Sequence, residues 1–93
     1  MRKVLQKFGA DQEKKLDVRN DRGDWQKHSL AQLAGMLFEE VFELNNELVR
    51  FYGTRKPTPG ERRRIAGECV DVANVAMFIA DNIHYKTSDR GRK

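Results

Sequence analysis

Two helix-start signatures constrain the fold of this chain most tightly. Ser29-x-x-Gln32 and Thr58-Pro59-Gly60-Glu61 are both capping boxes, in which a hydroxyl and an acid or amide three residues on satisfy the first free backbone N–H groups of a helix. Pro59 also suits the first helical position. After the first box, Leu30, Leu33, Leu37, Val41, Leu44, Leu48 and Phe51 recur at spacings of three and four, the mark of an amphipathic helix. Gly53 is suited to close it. After the second box, Ile65, Val72, Val75, Ala76, Ile79 and Ile83 supply the expected buried stripe. No segment alternates as a strand would. The expectation is an all-α small helical bundle: two long antiparallel helices behind a weaker N-terminal one, the latter resting on Val4, Leu5, Phe8 and Leu16 and interrupted by Gly9. Residues 1–84 form a single domain in this reading, and 85–93 a polar tail.

The chain has 93 residues and a net charge of +4, with Arg62-Arg63-Arg64 the densest basic run. A core of this size is marginal alone, and assembly into a dimer or tetramer is a common remedy. The lone Cys69 excludes an internal disulfide and fits a reducing compartment. No apolar run reaches the length of a membrane span, and no leader pattern is present, so the expected location is the cytoplasm.

The chemistry lies in two acidic groups, Glu39-Glu40-x-x-Glu43 and Glu68-x-x-Asp71. At about 100° per residue, Glu68 falls between Val75 and Ile79, inside the apolar stripe, with Asp71 at its edge. Glu40, Glu43 and Glu47 flank the stripe of the preceding helix. A carboxylate on a packing face is costly unless neutralised or coordinated. Packing these helices face to face brings Glu40, Glu43, Glu68 and Asp71 together, and oxygen-only donors suit Mg²⁺, with Mn²⁺ as an alternative. Glu47 has Arg50 three residues on and is better read as an ion pair. A di-iron bundle needs Glu-x-x-His pairs, and neither His28 nor His84 follows a Glu at that spacing.

The pairing of Glu39-Glu40-x-x-Glu43 with Glu68-x-x-Asp71 resembles the signature of MazG-like, all-α nucleoside triphosphate pyrophosphohydrolases. Asn20-Asp-Arg-Gly-Asp-Trp25 with His28-Ser-Leu is similar to that family's lead-in, and Gly67-Glu-Cys-Val-Asp-Val-Ala-Asn74 to its second motif. The resemblance implies a helical homo-oligomer that hydrolyses nucleoside triphosphates to monophosphate and pyrophosphate with Mg²⁺, in nucleotide pool control or house-cleaning. Carried over by position, Glu40, Glu43, Glu68 and Asp71 are the metal ligands, and Glu39 is a further ligand or the general base for water. The chain is short for such an enzyme, which leaves base-contacting parts to a partner subunit.

Other residues keep two readings each. Trp25 either stacks on a nucleobase or plugs the end of the core. His28 either hydrogen-bonds base or ribose or simply sits at the helix entry. Asn74 either steadies a ligand carboxylate or makes an interhelical hydrogen bond. One or two of Arg55, Lys56, Arg62, Arg63 and Arg64, with Arg62 and Arg63 the best placed, grip substrate phosphates while the rest are solvated. Two rival functions remain: a basic nucleic-acid-binding module, disfavoured by acids near the packing faces, and a catalytically silent helical oligomer, disfavoured because all five acids are present.

Overall fold

The computed structural model describes residues 1–18, 24–53 and 55–85. These are helical almost throughout, with no strand among them: α1 (Lys3–Val18), α2 (Leu30–Leu48) and α3 (Pro59–Ala80) are joined by short helical turns at Asp24–Lys27 and Val49–Phe51. A π-turn, Asp81–Tyr85, continues α3. No helix among the described residues is long and apolar enough to cross a membrane.

Both capping boxes form as read. The Ser29 side chain accepts from the Gln32 N–H at 3.1 Å while Gln32 Oε1 accepts from the Ser29 N–H at 2.7 Å. Thr58 and Glu61 make the same reciprocal pair at 3.2 and 2.8 Å. The Glu61 carboxyl falls to about 2 because the Thr58 N–H and then Arg55, 2.9 Å away, stabilise its charge. Gly53, at φ 124°, takes the left-handed backbone that only glycine adopts without strain, and so reverses the chain after α2.

Both other helices pack on α3, α2 more extensively than α1. This arrangement alters the expected stripes. The α2 stripe is only half covered: Leu33 is fully buried, whereas Leu30, Val41 and Leu48 stand 54, 45 and 37% exposed. On α3 the buried residues are Val70, Asn74, Val75 and Phe78, while Ala76, and Ile83 in the turn that follows, are exposed. The physical reason is neighbour number. α3 has two helical neighbours and buries a broader, rotated face; α2 has one principal helical neighbour and buries a narrow one. The N-terminal helix also exceeds expectation, running 16 residues through Gly9 without a break.

The compact core is Leu33, Val75 and Phe78, with Trp25, Leu16, Met36, Leu37, Met77 and Ile79 against it. The turn expected at Asn20–Asp24 falls mostly, and the tail after Tyr85 wholly, outside the described residues.

Candidate metal centre

Three of the predicted ligands converge. Glu40 comes from α2, and Glu68 and Asp71 from successive turns of α3. One carboxylate oxygen of each lies within 4.8 Å of the others, and all three residues are half-buried. The convergence follows from register: α2 and α3 pack along Leu33 and Val75, and about two helical turns further from that core the same faces carry the acids. Glu68 Oε1 is buried without a hydrogen-bond partner. Burial raises the Glu68 carboxyl above its ordinary value, and the charges of Asp71 and Glu43 push it further in the same direction.

Lys15 supplies the opposing charge. Its Nζ donates to Asp71 Oδ1 at 2.9 Å and lowers the Glu68 carboxyl against these other influences. One turn along, Gln12 Nε2 donates to the buried Asn74 Oδ1 at 3.0 Å. Asn74 therefore makes the interhelical hydrogen bond that was one of its two readings. Together these bonds dock α1 beside the acids. Lys15 and Gln12 escape sequence reasoning because they lie 56 and 62 residues from their partners. The one available signal is their i, i+3 spacing on α1.

The remaining predicted residues are distributed differently. Glu43 is exposed and outside the tight trio, yet close enough to act on Glu68. Glu39 is exposed, about 100° round the helix from Glu40. Glu47 sits between Arg50 and Arg64, each 3.6 Å from Oε1. Arg62 and Arg63 are exposed on α3 and border a groove against α1.

Trp25 and His28 belong to the opposite end of the bundle. Trp25 stacks on Phe78 with ring centroids 4.5 Å apart and planes 10° from parallel. Its Nε1 donates to the buried Asp81 at 3.0 Å. Here the indole plugs the core. The exposed His28 closes the turn after Trp25 through its backbone N–H, 3.2 Å from the Trp25 carbonyl. Ten residues of helix, about 15 Å of rise, separate Asp81 from Asp71.

Chemically, the trio offers hard oxygen donors on two rigid helices, with a cation already drawn to one of them. Such a set suits a hard divalent ion better than a thiophilic one, since no histidine or cysteine joins it among the described residues. No protein-family model, curated protein or solved structure matches the chain.

Proposed function

We propose that this protein is a Mg²⁺-dependent nucleoside triphosphate pyrophosphohydrolase, converting a (deoxy)nucleoside triphosphate and water to the monophosphate and pyrophosphate. The observation that carries this reading is the meeting of Glu40 with Glu68 and Asp71 across α2 and α3. It joins the two halves of the motif pair that resembles MazG-like enzymes. The donor chemistry fits: three carboxylates converge, and Glu68 Oε1 is buried with no hydrogen bond.

Glu40, Glu68 and Asp71 would hold the ion, with Glu43 one turn from Glu40 as the next donor. When bound, Mg²⁺ supplies charge neutralisation and a fixed position for phosphate oxygens, which is most of what phosphoryl transfer demands. Glu39, exposed on α2, is free of the packing constraint and is the residue assigned to orient water or take its proton. Mn²⁺ is the natural substitute ion. The role in pool control or removal of unwanted nucleotides rests on the resemblance alone.

A homo-oligomer, dimer or tetramer, belongs to the same reading. Phe38, Phe42, Val49 and Tyr52, exposed at 73, 59, 43 and 69%, recur at helical spacing and join Val41 and Leu48 in one outward apolar stripe. Exposed apolar side chains grouped in this way suit an interaction face. A second copy laid on it would also bring more side chains near Glu39.

The test is a panel of nucleoside and deoxynucleoside triphosphates incubated with the purified protein and Mg²⁺, with chromatographic separation of products. Monophosphate plus pyrophosphate, abolished by chelation and reduced at least about a hundredfold by Glu68→Gln, is the expected result. Diphosphate plus orthophosphate would mean another phosphatase chemistry. No turnover with either Mg²⁺ or Mn²⁺ would favour the silent oligomer.

A further inference from the structure

A second feature adjoins the carboxylates. Between α1 and the first half of α3 runs a groove of about 880 Å³, within the usual size of small-molecule sites. Lys7, Lys14 and Lys15 border it from α1, and Arg62 and Arg63 from α3, against the single acid Asp11. Val18, Pro59, Ala66, Gly67 and the buried Val70 complete its lining. The acid balances little of this charge, because Asp11 lies 4.0 Å from Lys7 in an exposed i, i+4 pair. Lys14 and Arg63 have no ion-pair partner among the described residues.

Lys15 is the link. It borders the groove and at the same time donates to Asp71. Its side chain crosses α3 over Gly67, where a methyl group would come 3.7 Å from Nζ. Lys15 therefore borders both the groove and the carboxylate cluster.

We propose that this groove is a polyphosphate subsite, which holds the pyrophosphate half of the substrate against Lys14, Lys15 and Arg63 while the bond to be cleaved lies beside Glu40, Glu68 and Asp71. The assignment rests on the pyrophosphohydrolase reading for its substrate and on charge complementarity for its occupant. Five cations lining one cleft favour a compact polyanion over a singly charged ligand. Arginine forks and lysine point charges are the usual donors to phosphate oxygens. The arrangement also explains why a strongly acidic cluster stands next to a basic cleft: the cations attract the phosphates, and the acids hold the ion that joins them.

Inorganic tripolyphosphate titrated calorimetrically into the full chain, in chelator and at low ionic strength, tests the subsite apart from catalysis. The expected result is saturable binding, weakened about tenfold or more by Lys14→Glu and by Arg63→Glu. Both positions are exposed, so helical content by circular dichroism should stay at the wild-type value. Glu68→Gln should bind tripolyphosphate at least as well as wild type. Absence of binding, or binding indifferent to both charge reversals, overturns the subsite. So does a single-stranded oligonucleotide that displaces tripolyphosphate at equal phosphate concentration with a steep salt dependence, since the groove is then a nucleic-acid surface. Tripolyphosphate binding that requires Lys14 and Arg63 in a protein that turns over no nucleotide upholds the subsite and defeats the hydrolase reading. Intact nucleotide hydrolysis in both charge reversals upholds the hydrolase and defeats the subsite.

Discussion

Asp81 and Glu68 are both carboxylates set into the packed surface of the same helical rod, and they are treated in opposite ways. Asp81, 2% exposed, accepts from Trp25 Nε1 at 3.0 Å and from Gln26 Nε2 at 3.1 Å. The neighbouring Asn82 adds a bond to the Trp25 carbonyl at 3.1 Å. The protein has supplied that acid with donors and built the Trp25–Phe78 stack around it. Glu68 keeps a buried oxygen with no donor and has two further carboxylates within reach. Burial of an acid is tolerable when hydrogen bonds replace water and costly when they do not. The first arrangement holds the fold; the second withholds donors at the place where a cation would serve.

Substitution at the two acids should separate these roles. Asp81→Ala removes the shared acceptor of two side chains and leaves the indole N–H without its partner. A loss of about 3 kcal/mol is expected, large against the stability of a small domain. Thermal unfolding followed by circular dichroism should report a fall of more than about 10 °C. Glu68→Gln should leave stability unchanged or raised by less than about 1 kcal/mol, because it removes a like charge from the cluster. A destabilised Glu68→Gln protein would erase the distinction and make both acids structural.

Removal of the Thr58 hydroxyl gives a smaller effect, about 1 kcal/mol lost in Thr58→Ala, because one N-cap bond at the start of α3 disappears. Denaturant unfolding resolves a change of that size.

The pH dependence sharpens the comparison further. The folded chain raises Glu68 above 4.5, so it favours the protonated acid. That contribution to stability is full below pH 4.5 and is lost as pH rises through the raised value. Glu61 acts with the opposite sign: lowered from 4.5 to about 2, it contributes fully above pH 4.5, and its contribution is lost as pH falls through about 2. Melting temperatures of chelated protein should therefore carry a decline above pH 4.5 that Glu68→Gln removes, and an acid-side decline that Glu61→Gln removes. An unchanged upper limb in Glu68→Gln would show that the cluster is not under strain.

These contrasts also mark what the sequence makes legible. The caps at Ser29 and Thr58 are local, since each involves residues three apart, and both could be read directly. The pairing of Glu40 with Glu68 and Asp71 was legible because each acid interrupts or flanks an apolar stripe on a helix whose start is known. Side-chain exposure was less legible. Val41 and Leu48 share the periodicity of Leu33, and only the number of packed neighbours separates them. Asp81 gave no sign of its role, because its donors come from a turn 55 and 56 residues earlier. Trp25 had two readings that local sequence could not separate; the stack on Phe78 is a tertiary fact. Lys15 was invisible for the same reason.

Whether Glu40, Glu68 and Asp71 hold a divalent ion is read most directly by titrating the chain with Mn²⁺ and following paramagnetic broadening residue by residue by NMR. Broadening at substoichiometric Mn²⁺ is expected to be strongest at Glu40, Glu68 and Asp71, to extend to Lys15 and Glu43, to weaken towards Asp81 and Trp25, and to be lost in Glu68→Gln. Broadening scattered over surface acids, or undiminished in Glu68→Gln, would contradict this assignment.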